Sequence, residues 1–145
     1  MIRAVEAGQK DQWLDLFNGY AEFYKVSLDQ NTHQNVWSWI QDQNESFWCD
    51  GYVSEEGRLL GFTQYSLIHR SLSGGKVVYL SDLYVLPEFR GQGIARALID
   101  HVFEFARRHG YSNVRWLTAE SNYTARQLYD SYQTRTEFVL YSINT

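Results

Sequence analysis

The 145-residue chain is poor in several features, and each shortage excludes a class of protein. It has one cysteine, Cys49, so no disulfide can form within the chain, and we expect a reducing compartment, the cytoplasm. No apolar run approaches the roughly 20 residues that a membrane helix needs, and the polar N-terminus lacks a signal-peptide pattern, so we expect no membrane role. The longest basic run is Arg107, Arg108 and His109. With a net charge of −4, this disfavours nucleic acid as a partner and would attract a cationic substrate.

The length suits a single domain spanning residues 1–145, because no repeat or linker-like stretch divides the chain. Hydrophobic periodicity predicts elements in the order β-α-α-β-β-β-α-β-α-β, an α/β (α+β) arrangement in which a mixed sheet carries helices on both faces. The predicted strands cover residues 2–5, 47–54, 59–70, 76–85, 114–118 and 138–143, and the predicted helices cover residues 9–25, about 31–40, 94–109 and 124–132.

A glycine-rich loop follows the most β-prone strand and opens the longest predicted helix. Pro87 ends the strand, and Gly91 and Gly93 precede the helix. Backbone N–H groups at a helix N-terminus attract anions, so this stretch predicts a site for a phosphate-bearing group. It lacks the Lys-Ser/Thr of a nucleoside-triphosphate loop, and Arg96 stands where a dinucleotide fingerprint needs a third small residue. An ordinary helix-start turn remains an alternative on these residues alone.

Two motifs together carry a family resemblance. The loop, from Arg90 to Ala95, satisfies the pattern Arg/Gln-x-x-Gly-x-Gly/Ala, and the stretch from Asn122 to Tyr129 matches Asn-x-x-Ala-x-x-Leu-Tyr. Both patterns, at this separation, resemble the GNAT superfamily of N-acetyltransferases, and in particular its branch of histone, polyamine and small-amine acetyltransferases. The resemblance implies a twisted, mostly antiparallel sheet in which two central parallel strands splay apart.

The resemblance also implies the acetyl donor, acetyl-CoA. In that family the loop N–H groups hold the pyrophosphate, and the pantetheine arm lies between the splayed strands and bonds to freed backbone groups and to an asparagine. An asparagine at position 122 is equally a plain helix N-cap. No His/Cys/Asp/Glu cluster has metal-ligand spacing, so no metal is expected. The residues implied to bind acetyl-CoA are Leu83, Tyr84, Val85, Arg90, Gly91, Gln92, Gly93, Ile94, Ala95, Arg96, Asn122 and Ala125.

Catalytic roles follow from the same resemblance. Tyr129 resembles the family's general acid, although a helical tyrosine can simply pack. The attacking amine must lose a proton, which a base or a chain of waters must take. Asp82 and Glu120 are the candidate bases, with His69 a weaker one, although Asp82 could equally stabilise the strand or pair with an arginine. Ser81 stands where the polyamine enzymes place a substrate-binding glutamate, which argues against a polyamine. The aromatic residues proposed for an acceptor pocket are Tyr20, Tyr24, Trp37, Trp48 and Tyr65.

The sequence therefore predicts an acetyl-CoA-dependent N-acetyltransferase that acts by direct transfer in a ternary complex. The acceptor is a small primary amine or a lysine-bearing peptide. The alternative is a CoA-binding module without catalysis, which would serve regulation or scaffolding. As in several relatives, the terminal strand over residues 138–143 is expected to pair across a homodimer. Many relatives carry a glycine before this strand, where this chain has Glu137, so the sequence does not predict the conformation of the last hairpin.

Overall fold

The computed structural model describes all 145 residues as one five-stranded sheet with four helices. The strands follow chain order, β1-β2-β3-β4-β5, and every neighbouring pair is antiparallel except β4 and β5. The predicted mixed, mostly antiparallel sheet is confirmed. The strands are β1 (Ile2–Ala4), β2 (Phe47–Val53), β3 (Leu59–Arg70), β4 (Gly75–Val85) and β5 (Val114–Trp116), and the helices are α1 (Lys10–Phe23), α2 (Gln30–Gln41), α3 (Ile94–Arg108) and α4 (Tyr123–Asp130).

Helices cover both faces of the sheet, as the periodicity predicts. On one face, α1 and α2 bury an aromatic cluster in which Trp13 and Phe17 pack with Phe62 of β3. On the other face, Ile99 and Val102 of α3 pack on side chains of β3 and β4. None of the four helices is long and apolar enough to cross a membrane.

A β-bulge in β4 opens the sheet beside the glycine loop. Gln64 of β3 pairs with Asp82 and the next residue, Tyr65, pairs with Leu80, so Ser81 has no partner. The parallel ladder between β4 and β5 ends at the same point, because its last pair joins Leu80 and Trp116. Since a bulge bends its strand and increases the twist, β4 continues to Val85 with β3 on one side and no strand on the other. The splayed parallel pair is confirmed.

The predicted terminal strand is wrong for the isolated chain. Residues 134–145 adopt no regular structure, and the apolar side chains of the predicted strand are 69–90 % exposed. A strand requires a hydrogen-bonded neighbour, and β-propensity alone does not supply one. β5 is the last strand of the sheet, and its outer edge has no partner, so residues 134–145 do not pair with it. The exposed side chains are Phe138, Val139, Leu140, Tyr141 and Ile143.

Candidate active site

The glycine loop has the geometry of an anion site. Gly91 and Gly93 have φ angles of 76° and 81°, in the left-handed region that favours glycine, and Gly93 is the N-cap of α3. No side chain caps this helix, and its first turn carries no acidic residue. A Cβ atom built at either glycine would meet nothing within 4 Å, so the space in front of the loop is open. The N–H groups of the first turn are therefore available to an anionic ligand.

Arginine side chains brace this loop and helix. Arg90 Nε donates to the Val85 carbonyl at 3.0 Å, which ties the loop to the end of β4. Arg96 donates to Ser131 Oγ at 2.8 Å and lies over the Tyr132 ring, which ties α3 to the end of α4. Both guanidinium groups thus have protein partners, and the backbone of the loop is left to face the opening.

Asn122 caps α4 and borders a cavity. Its Oδ1 accepts from the Ala125 N–H at 3.4 Å, and its Nδ2 donates to Thr118 Oγ1 at 3.2 Å. The N-cap interpretation is confirmed. The cavity is open, measures about 450 Å³ and lies between the end of α1 and the loop before α4. Its lining residues are Phe23, Tyr24, Lys25, Ala119, Ser121, Asn122, Tyr123 and Thr124.

Tyr129 projects from α4 and packs against Trp116 of β5, with ring centroids 5.8 Å apart. Burial, with a smaller contribution from Tyr24, raises the pKa of Tyr129 to about 12. Unlike Tyr132 on the next turn, whose hydroxyl donates to Asp100, Tyr129 makes no side-chain hydrogen bond to protein. Its hydroxyl thus stays protonated and is free to donate.

Asp82 is half-buried at the bulge, and its hydrogen bonds come from neutral groups. Gln64 Nε2 donates to Asp82 Oδ2 at 2.8 Å, and Ser81 Oγ donates to the same oxygen at 3.0 Å. Burial raises the pKa of Asp82, and the hydrogen bonds from Gln64, Ser81 and Tyr20 only partly offset that rise. Asp82 forms no salt bridge, so it does not pair with an arginine.

Of the five aromatic residues predicted for an acceptor pocket, Tyr20 and Tyr24 lie at the site. Their ring centroids are 5.0 Å apart, and the Tyr20 hydroxyl donates to the Ser81 carbonyl at 3.3 Å. Burial and the nearby Asp82 carboxylate raise the pKa of Tyr20. The prediction is wrong for the other three, which are core residues. Trp37 packs on Trp13, and Trp48 and Tyr65 pack with Phe105 of α3 on the opposite face.

The other candidate bases lie elsewhere. His69 pairs with Lys76 at the far end of β4, six residues and thus ~20 Å from Asp82, so its predicted role is wrong. The Glu120 side chain is exposed, and its backbone carbonyl accepts from Arg126 at 2.6 Å. No group of three or more His, Cys, Asp and Glu side chains is placed to hold a metal ion.

Sequence reasoning missed Gln64 and Trp13, the two residues that support Asp82. Gln64 is fully buried on β3, and its Oε1 accepts from Trp13 Nε1 at 2.9 Å. The available signal was a glutamine, Gln64, between the large apolar residues Phe62 and Tyr65 of a predicted strand, because a buried amide needs partners.

Comparison with known proteins agrees with this geometry. The sequence model of the Acetyltransferase (GNAT) family matches residues 12–133. This chain belongs to the GNAT acetyltransferase family. It is an N-acetyltransferase, since its relatives carry that activity in their names and it shares their fold.

Two curated relatives and one solved structure illustrate the similarity. A D-amino-acid N-acetyltransferase from Saccharomyces cerevisiae is 29% identical over 145 residues, covering 99% of this chain and 90% of the relative. A thialysine N-epsilon-acetyltransferase from Bos taurus is 32% identical over 146 residues, covering 89% of this chain and 80% of the relative. The crystal structure of a probable acetyltransferase superposes with a TM-score of 0.87 at 28% identity, covering 100% of this chain and 97% of the other.

Proposed function

We propose that this N-acetyltransferase moves an acetyl group from acetyl-CoA directly to a primary amine within a ternary complex. The observation that carries the proposal is the pair Asp82 and Tyr129. A carboxylate held by neutral donors and a tyrosine with an unbonded hydroxyl come from β4 and α4, the two elements beside the opening of the sheet. Direct transfer needs one group to take a proton from the amine and another to give one to the departing sulfur.

The donor fits the glycine loop and the bulged strand. The open space before Gly91 and Gly93, with the uncapped first turn of α3 behind it, suits a pyrophosphate. Residues 81–85 of β4 have an edge without a strand, which suits an amide-bearing pantetheine arm. Because Arg90 already occupies the Val85 carbonyl, the arm would use other backbone groups of this edge and Asn122.

Asp82 is the proposed base. A lysine-like amine has a pKa of about 10.4, so only about one molecule in a thousand is neutral near pH 7. A carboxylate whose pKa is raised by burial is a stronger base than an exposed aspartate, and no cation competes with the incoming ammonium for it. Attack by the neutral amine on the thioester carbonyl then forms the C–N bond and breaks the C–S bond. The nitrogen loses one more proton as the amide forms, and the departing thiolate gains one, so the two transfers balance.

Tyr129 is the proposed acid. With a pKa of about 12 it is protonated throughout the working range of pH, so it always offers a proton to the thiolate that leaves. The pKa of Tyr129 lies above the pKa of a thiol, about 8.5, so the tyrosine first stabilises the departing thiolate by a hydrogen bond.

We propose a small amine that carries a carboxylate as the acceptor, ahead of a lysine-bearing peptide. Lys25 is the one charged residue lining the cavity, and its ammonium would attract a carboxylate. Two relatives, the D-amino-acid N-acetyltransferase and the thialysine N-epsilon-acetyltransferase, are named for amino-acid acceptors.

We also propose a homodimer that supplies the strand which the isolated chain lacks. Residues 138–143 expose a mostly apolar, β-prone stretch, and the outer edge of β5 is unpaired. Light scattering coupled to size exclusion should show a dimer. Truncation after Thr136 should leave a monomer, and a full-length chain that is monomeric at micromolar concentration contradicts the proposal.

The test of function is thiol release from acetyl-CoA across a panel of amines that includes lysine and its decarboxylated analogue, cadaverine. We expect amine-dependent release, with a lower KM for lysine than for cadaverine. Tyr129→Phe should lower kcat by roughly 100-fold or more, since general acid catalysis contributes about 10²–10⁴. Tyr132→Phe is the matched control, because it removes a tyrosine hydroxyl whose pKa is also raised to about 12 but which is bonded to Asp100.

Tight binding of acetyl-CoA with no turnover on any amine would contradict catalysis and favour the regulatory or scaffold module. Equal losses in Tyr129→Phe and Tyr132→Phe would mean that the Tyr129 hydroxyl has no special role, and would contradict its assignment as the acid.

A further inference from the structure

We infer that Trp13 and Gln64 form a buried positioning chain that orients the Asp82 carboxylate and sets its affinity for a proton. The inference rests on the proposed role of Asp82 as the base. It concerns two residues that touch neither the donor loop nor the cavity, and it assigns them a function in the reaction.

The chain begins at an indole that can only donate. Trp13 is 0 % exposed on α1, and its Nε1–H donates to Gln64 Oε1 at 2.9 Å. This bond selects the amide oxygen of Gln64 for the side of α1, so the amide nitrogen must point the other way, toward β4. Gln64 is also 0 % exposed, and no water competes for either end of its amide. The orientation of the glutamine is therefore determined by the tryptophan.

The chain ends on one oxygen of Asp82. Gln64 Nε2 donates to Oδ2 at 2.8 Å, and Ser81 Oγ lies 3.0 Å from the same atom. Both bonds go to Oδ2, so neither donor of the chain occupies Oδ1, and the Tyr20 hydroxyl is the remaining donor that favours the carboxylate. Because Ser81 is the residue extruded at the bulge, the distortion that opens the sheet also brings this second donor to the carboxylate.

The groups around Asp82 are neutral at working pH. The Tyr20 hydroxyl faces it from α1, Tyr79 lies on its own strand, and the Cys49 thiol lies on β2. The pKa of each of these three groups is raised, so none brings a charge near neutral pH. Burial favours the protonated acid, and the hydrogen bonds of the chain favour the carboxylate, so Gln64 and Ser81 set the balance.

The test removes the amide while keeping its shape. In Gln64→Met, the Asp82 carboxyl should titrate about one pKa unit higher than in wild type, because a hydrogen bond to a charged group is lost. The measurement is a ¹³C NMR titration of the aspartate carboxyl groups, in which the Asp82 signal is assigned by its absence in Asp82→Asn. The acidic limb of kcat/KM for amine acetylation should move upward by the same amount. Trp13→Phe should shift the Asp82 titration and the acidic limb in the same direction, but by a smaller amount.

Phe17→Leu is the control for loss of packing. Phe17 packs on Trp13 in the same cluster and has no polar atom in the chain, so its substitution should lower Tm without moving the titration. If Asp82 titrates identically in wild type and Gln64→Met, with Tm alone reduced, the inference is overturned and Gln64 is a structural residue. If the titration moves and the acidic limb does not, the chain stands and the assignment of Asp82 as the base fails.

Discussion

Two aspartates lie in the same sheet on opposite faces, and their surroundings differ. Asp50 of β2 faces α3, where its Oδ2 accepts from the Tyr65 hydroxyl at 2.6 Å and lies 2.8 Å from His101 Nε2. Asp82 of β4 faces α1, where its partners are an amide and a hydroxyl. Asp50 has a neighbouring side chain that can carry a compensating positive charge, and Asp82 has none.

The difference matches the proposal that one sheet holds a structural acid, Asp50, and a reactive one, Asp82. A carboxylate with a histidine and a phenol has its charge and lone pairs satisfied, so it links β2, β3 and α3. A carboxylate with neutral partners keeps its affinity for a proton and for a cationic ligand. The bulge at Ser81 places the second kind beside the opening of the sheet, where the proposed mechanism needs a group that takes a proton from an ammonium.

The largest expected effect separates the two acids by activity. At pH 7, Asp82→Asn should lower kcat/KM for amine acetylation by about 10²–10³, because only the roughly one-in-a-thousand neutral amine can then react. Asp50→Asn should leave it close to wild type. Thiol release measured on both variants with one amine tests the contrast, and a similar loss in both would remove the distinction between the acids.

The next effect separates them by stability. In Asp50→Asn, the amide oxygen can take the place of Oδ2 beside Tyr65 and His101, but it carries no negative charge, so both contacts lose their charged partner. The substitution should therefore lower the free energy of unfolding by about 1–3 kcal/mol. Asp82→Asn keeps an oxygen for Gln64 and Ser81 and should be as stable as wild type or more so. Urea denaturation followed by tryptophan fluorescence measures both. A larger loss of stability in Asp82→Asn would show that Asp82 is the structural acid.

The smallest effect is in the pH dependence of stability. Because the folded protein holds the proton of Asp82 to a higher pH than the unfolded chain does, wild type loses stability as pH rises from the ordinary value of 3.8 to the raised folded value. Asp82→Asn lacks this titration. The Tm of wild type should therefore fall relative to that of Asp82→Asn over this window and run parallel to it above. A relative rise would mean that the folded pKa is depressed.

The region proposed to bind acetyl-CoA, the glycine loop with the strands around α3 and the cap of α4, was predictable from sequence, because short stretches of sequence determine its structure. The left-handed conformations at Gly91 and Gly93, the cap at Asn122 and the parallel strands around α3 follow from residues close together in the chain. Short-range steric and hydrogen-bonding rules suffice for such features.

The region around Asp82, which is proposed to bind the amine, was predicted less well, because it is assembled from residues that are distant in the sequence. Tyr20, Gln64 and Asp82 meet only after α1 packs on β3 and β4, and the bulge that frees Ser81 is a matter of register between strands. In the sequence, Trp48 suits a pocket as well as Tyr20 does. The structure excludes it because its ring lies on the opposite face of the sheet, against Phe105. The terminal strand was predicted wrongly for a related reason, since β-propensity is local and does not supply the hydrogen-bonded neighbour that a strand needs.

The most direct test of the account is the pH profile of kcat/KM for acetylation of one amine, measured for wild type and Asp82→Asn. If Asp82 takes the proton of the bound ammonium, wild type should rise through the pKa of Asp82 and then stay level across neutral pH. Asp82→Asn should instead rise tenfold per pH unit toward the pKa of the amine, about 10.4, so that the two enzymes converge at high pH. Parallel profiles, separated by a constant factor at every pH, would contradict the role of Asp82 as the base.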